Sequence, residues 1–339
     1  MKATINDVAK QAGVSIKTVS RVMNNEPSVR QPTREKVMEA VNELNYKPNL
    51  AARNLAGTKA YSIAFIYDNP NAYYVIDMQN GILSACKQQG FELLIHPCNS
   101  NSEGIVDEIT NMVKHSRIAG LVLTPPLSEM PEFVKHLLSL EIDVVRIMSG
   151  DIAPDDLTPC IMVNDHQASM RITQHLIDLG HTDIGFLAGQ SEHMSTVERL
   201  RGYKQALEEN GIKIDPRLII DGEYSFESGV NGAKQLMAGD VRPTAIFSCN
   251  DEIAAGALFA SRLMGIPVPE QLSITGFENS PFSRQTWPRL TTANQPNPKI
   301  AEGAANLLIA KARKQAASNI ITEYTPQLVV RDSTSQINQ

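Results

Sequence analysis

Residues 4–24 read TINDVAKQAGVSIKTVSRVMN, and this stretch decides the first domain. Thr4 is placed to cap a helix, with Asp7 three residues on as its capping-box partner. Val8 and Ala12 then share one helical face. Ala12-Gly13-Val14-Ser15 breaks the helix: Gly13 supplies a tight turn and Ser15 can cap the next helix. That second helix is expected from Ser15 to Asn24, with Val19, Val22 and Met23 as its apolar stripe. Ile16, Lys17, Ser20 and Arg21 project from the other side. A third helix, about Pro32 to Asn45, carries Val37, Ala40, Val41 and Leu44 on one face, and Pro32 suits its first turn. Helix, short glycine turn and helix with a basic polar face make an all-α helix-turn-helix DNA-binding domain over residues 1–46. The second helix of such a unit enters the major groove, where its first residues touch base edges. Lys17 can donate to guanine O6 or N7, and Ile16 can meet a thymine methyl. Thr4, Ser15, Thr18, Ser20, Arg21 and Asn24 read as DNA-backbone contacts, with Arg21 also open to a base contact. For each of these the alternative is an exposed helical residue with no partner.

The charge distribution agrees with this reading. Residues 1–59 hold ten Lys or Arg and five Asp or Glu, whereas the remainder holds 21 basic and 32 acidic residues. A basic arm on an acidic body fits a nucleic-acid reader with a second module, and a mildly basic solvated domain is the alternative. Residues 48–57, PNLAARNLAG, form one further short helix, capped by Asn49 and stopped by Gly57. So short a helix is marginal alone in water and needs packing to form. Ala51, Ala52 and Ala56 would let two copies approach closely, and Leu55 could then wedge between bases from the minor groove. A plain linker over 47–60 is the other reading.

The 339 residues imply two or three domains. Cys86, Cys98, Cys160 and Cys249 are scattered without a C-x-x-C pair, which fits reduced cytoplasmic thiols and neither zinc nor disulfide scaffolds. Neither a signal peptide nor an apolar run of membrane-spanning length is visible, so no membrane partner is expected. Beyond residue 60, runs rich in Ile, Val and Leu alternate with helical patterns. Strands are expected at Ser62–Ile66, Leu93–His96, Gly120–Leu123, Asp143–Ile147, Cys160–Val163, Asp183–Ala188, Ala245–Cys249 and Ser273–Phe277, with helices such as Ala168–Leu179 and Arg199–Glu209 between them. This rhythm predicts an α/β domain of parallel, Rossmann-like sheets in two lobes, with any ligand in the cleft beyond the strand ends. No phosphate loop and no G-x-G-x-x-G is present. Gly189-Gln190-Ser191-Glu192-His193 lacks the second glycine of a nucleophile elbow, and His175 and His181 are not spaced as metal ligands on one helix face. Catalysis, a metal and a cofactor are therefore not expected.

The run T-I-N-D-V-A-K-Q-A-G-V-S-x-x-T-V-S-R-V-M-N, then T-R-E-K-V, then L-N-Y-K-P-N-x-x-A-R-N-L-A-G resembles the lactose-repressor (LacI/GalR) family of bacterial transcription regulators, and the resemblance continues to about residue 331. It implies a cytoplasmic homodimer on a double-stranded, pseudo-palindromic operator, with two hinge helices meeting at its centre and Asn49, Ala52 and Leu55 reaching the DNA there. It also implies a two-lobed periplasmic-binding-protein-like sensor over 61–331, with one lobe about 61–161 and 292–322 and the other about 162–291 and 323–331. Residues 332–339 would be a polar tail without leucine heptads, so a dimer is expected rather than a tetramer.

The same resemblance implies effector roles for Asn71, Tyr73 and Tyr74 after the first strand, Thr124 and Pro125 after the third, and Met148 and Ser149 at the end of the fourth. It further implies roles for Ser195, Arg199, Tyr224, Asn250, Glu278 and Gln295. Aromatic faces could pack on a pyranose or a base while Arg, amide and carboxylate groups bond its hydroxyls. Each residue also has a plainer reading. Tyr73 and Tyr74 could be surface rim, Arg199 could pair with Glu198 or Glu278, Tyr224 could be core, and Asn250-Asp251 could cap a helix. Glu278 departs from the aspartate usual at its position. A repressor of carbohydrate use with a sugar effector is the leading reading. A purine or other non-sugar effector, or a corepressed rather than induced regulator, is the alternative.

Overall fold

The computed structural model describes residues 3–23, 28–46, 60–69, 71–150, 155–315 and 321–337, in two units, Met1–Tyr61 and Ser62–Gln339. Asn24, the expected hinge helix and with it Asn49, Ala52 and Leu55 lie outside the described residues.

In the first unit, helices Ile5–Ala12, Ile16–Met23 and Gln31–Glu43 pack around Val8, Val19, Val22, Val37, Ala40 and Val41. These are the stripes that helical spacing places inward. The Thr4 N–H and hydroxyl both donate to Asp7 Oδ2, at 2.8 and 2.7 Å, and these bonds hold the Asp7 carboxyl below its usual range. Gly13 takes the left-handed turn at φ 65. Ser15 Oγ accepts from the Thr18 N–H at 3.1 Å and caps the second helix. Arg34 donates to the Val22 carbonyl at 3.4 Å, near the end of that helix.

The second unit has two parallel sheets. Strands β1 (Ser62–Tyr67), β2 (Glu92–Pro97), β3 (Gly120–Leu123), β4 (Asp143–Ser149) and β5 (Cys160–Val163) join β11 (Ile321–Tyr324) in the order β11-β5-β4-β3-β1-β2. In the other lobe β6 (Ile184–Leu187), β7 (Ile219–Ile220), β8 (Ala245–Ser248) and β9 (Ser273–Thr275) run in the order β7-β6-β8-β9. A small antiparallel pair, β10 (Thr292–Asn294) with β12 (Gln327–Val329), sits beside β9. The central strands are apolar on both faces because helices cover both, as in Phe65, Ile66, Phe186 and Phe247, all fully buried.

The chain passes between lobes after β5, after β10 and after β11. The expected exchange points at 292 and 323 are thus displaced. Thr292–Asn294 pairs with Gln327–Val329 on the second lobe, while β11 runs through Tyr324 on the first. The segment expected as a polar tail is also built in. Ser333 is fully buried; its hydroxyl donates to the Ile274 carbonyl, and its own carbonyl accepts from the Ile274 N–H at 2.8 Å. His181 reaches Ser273 Oγ and the Ser335 carbonyl, at 3.0 and 3.1 Å.

Glycine sets the distance between the helices that carry the cleft residues. Gly202 of Met194–Glu209 faces the His166 carbonyl of Asp165–Asp178, and a methyl group there would collide with it.

Candidate functional site

The cleft between the lobes lies at the C-terminal strand ends. It is lined by Asn69, Asn71, Tyr74, Met148, Ser149, Asp165, His193, Ser195, Arg199, Tyr224, Glu278 and Gln295, together with Pro125, Ile147 and Val163. Arg199 is its centre. The guanidinium is 3% exposed and donates to Asp165 Oδ1 from Nε at 2.9 Å, to the Cys249 carbonyl at 2.6 Å and to Gln295 Oε1 at 3.5 Å. Its carbon lies 3.8 Å from the centre of the Phe277 ring. Glu278 Oε1 stands 3.9 Å away, while Glu198 pairs with Arg201 instead. The pairing expected with Glu198 or Glu278 is therefore mainly a pairing with Asp165, a residue the sequence reading missed.

Glu278 reaches across the cleft. Its Oε2 accepts from Asn71 Nδ2 at 2.6 Å, and the Asn71 oxygen caps helix Ala72–Gln89 by accepting from the Tyr73 and Tyr74 N–H groups. Glu278 holds φ 97, a conformation that costs a non-glycine residue about 1–3 kcal/mol and tends to mark functional sites. Burial pushes its carboxyl up to about 8 despite Arg199, so near neutral pH it can donate as well as accept. Burial also lowers His193, which favours its neutral ring.

Tyr224 is held by its hydroxyl, 3.0 Å from Ser195 Oγ and 2.8 Å from Thr196 Oγ1, and its ring meets His193 edge-on. Three expected residues do not line the cleft. Tyr73 and Tyr74 are one residue apart on a helix, about 100° around its axis, so Tyr74 turns inward while Tyr73 packs edge-on against Phe282. Thr124 is fully buried behind Pro125. Asn250 caps helix Asp251–Leu263, its oxygen accepting from the Ile253 N–H at 2.8 Å, and its buried amide nitrogen is left without a protein partner.

In the helix-turn-helix unit Ile16 is 50% exposed and Lys17 is exposed beside it, at the start of helix Ile16–Met23. Arg21 is exposed on the same helix. The hydroxyls of Ser15 and Thr18 lie 2.9 Å apart and share a hydrogen bond. Both donors of Thr4 are on Asp7, so a phosphate could take the Thr4 hydroxyl only by turning it away from that carboxylate.

Residues 4–49 match the family described as bacterial regulatory proteins, lacI family, and residues 173–334 match a periplasmic binding protein-like domain. The HTH-type transcriptional repressor PurR of Vibrio vulnificus is 31% identical over 339 residues, covering 99% of this chain and 100% of the relative. This chain belongs to the lacI family. It is a transcriptional regulator and not an enzyme. Two solved structures are similar to it in fold over nearly the whole chain. The lac repressor dimer bound to operator and the anti-inducer ONPF is 28% identical, with a TM-score of 0.74 over 99% of this chain and 100% of that one. The transcriptional regulator CelR in complex with cellobiose is 26% identical, also with a TM-score of 0.74, over 98% of this chain and 100% of that one. Among the described residues no helix is long and apolar enough to cross a membrane, and no cluster of three or more His, Cys, Asp or Glu could hold a metal ion.

Proposed function

We propose that this lacI-family chain is a homodimeric, cytoplasmic repressor of carbohydrate-use genes, and that a small uncharged sugar in the interlobe cleft controls its grip on a pseudo-palindromic operator. The charge of the cleft carries the sugar reading. Among the described lining residues Arg199 alone is cationic, and its guanidinium is committed to Asp165 and the Cys249 carbonyl. No side-chain cation among the described lining residues is left to neutralise a phosphate or carboxylate on the ligand. The remaining polar groups are amides, hydroxyls, carboxyls and the His193 imidazole, a set that pairs with many hydroxyls at once. The ligand acts by binding the two lobe arrangements unequally.

A purine base is the second reading, favoured by the two tyrosines in the cleft and by the 31% identity to PurR. A thermal-shift screen of the full chain separates the two. The panel holds neutral mono- and disaccharides, their phosphates and purine bases, with Glu278→Gln as the control. A ligand at 100 times its Kd adds about 2.7 kcal/mol, a midpoint rise of several degrees. A neutral sugar whose shift shrinks in the control is the expected result. A purine hit moves the assignment to the second reading, and a sugar-phosphate hit overturns the charge argument.

The DNA side rests on the exposed start of helix Ile16–Met23. Lys17→Ala is expected to relax base preference at one position in each half-site, by about 1–3 kcal/mol, in operator selection assays. Equal weakening on every sequence would make Lys17 a phosphate contact. Leu55 is assigned the minor-groove wedge at the operator centre. Homodimer formation is supported by Phe226, Phe259 and Leu263, large apolar residues exposed on two adjoining helices.

A further inference from the structure

Glu129 stands in the turn Leu127–Glu129 that comes after β3. Its Oε1 accepts from the Ser149 N–H at 3.0 Å, at the end of β4. Its Oε2 faces the Met194 N–H at a longer 3.4 Å, at the first residue of helix Met194–Glu209. The turn and β4 belong to the first lobe and the helix to the second, so one carboxylate spans the mouth of the cleft. The first amides of a helix have no partner within it and carry partial positive charge, which favours an acid at that place. Ser149 lines the cleft, as does Ser195, the residue after Met194. The lobes also approach closely just beyond: a Cβ added at Gly150 would stand 3.7 Å from the Glu198 carboxyl carbon.

Fold stability alone does not explain an acid here. The charged groups acting on Glu129 are Asp165 and Glu198, both carboxylates, and no cation pairs with it among the described residues. Desolvation of its carboxyl pushes it up to about 7. A glutamine of the same shape would avoid that cost but would turn an N–H donor toward one of the two amides.

We propose that Glu129 is a positioning residue that ties the two lobes together, setting Ser149 against Ser195 before any effector arrives. The proposal rests on the cleft being the effector site, yet its test needs no effector. Hydrogen–deuterium exchange of the full chain, read at single amides, follows the Ser149 and Met194 N–H groups directly. In Glu129→Ala both amides are expected to lose about tenfold in protection, while amides inside the helix, such as those of Ala206 and Leu207, keep theirs. Unchanged protection at Met194 overturns the proposal. So does loss of protection along the whole helix, because that marks a residue that merely holds the fold. A failed effector screen removes the ligand reading alone, and a failed exchange test removes the tie.

Discussion

Arg199→Ala should lower the stability of the sensor unit by about 3–5 kcal/mol, a fall of roughly 6–20 °C in its thermal midpoint. The substitution leaves Asp165, 1% exposed, without its cationic partner, and it frees the Cys249 carbonyl and Gln295 at the same time. Burial already lifts the Asp165 carboxyl above its ordinary range despite the guanidinium. Without that cation the acid must take up a proton or draw in water. Circular dichroism melting of the full chain measures the loss. Removing both charges, as Asp165→Asn with Arg199→Met, should recover part of it, since a missing pair costs less than a stranded charge. A loss below about 1 kcal/mol in the single variant would show that Arg199 serves the ligand and not the fold. For the same reason Arg199 is a poor control for effector binding, and Glu278→Gln is the better one.

Val19→Asp should abolish specific operator binding and leave the sensor unit intact. Val19 is fully buried in a core of few residues, where Val8, Val22, Val37, Ala40 and Val41 are its neighbours. A carboxylate placed there has no cation to meet, and a cost of about 3 kcal/mol or more exceeds what so small a unit can absorb. Fluorescence anisotropy with operator DNA should show only weak, salt-sensitive binding. The melting transition of residues 62–339 and the effector-induced shift should stay as in the parent chain. A lowered sensor midpoint would show instead that the two units unfold together.

The helix-turn-helix was legible because its apolar residues recur at helical spacing and its turn carries Gly13, so local chemistry and packing agree. The long parallel strands were legible as Ile, Val and Leu runs. Strands β7, β10, β11 and β12 were not, being two to four residues long and held by neighbours distant in sequence. In the cleft, Arg199 and Glu278 stood out by resemblance, but Asp165 did not. A signal was present all the same. Val163-Asn164-Asp165 and Cys249-Asn250-Asp251 each place Asn-Asp between a strand and a helix, and in both the asparagine caps the helix, toward Gln167 and Ile253, while the aspartate is buried. Glu129 had no such signal. Its role depends on where two lobes meet, and no local pattern records that.

The buried residue Ser333 bears on how this protein stays apart from its neighbours. Strand β9 is the last in its sheet, and on its open side the Ile274 N–H donates to the Ser333 carbonyl while the Ile274 carbonyl accepts from the Ser333 hydroxyl. A chain cut at Arg331 would bare the Ile274 N–H and carbonyl on that side. Open strand borders recruit other chains, so the shortened protein should self-associate through β9 even while its cleft and DNA-reading helix remain whole.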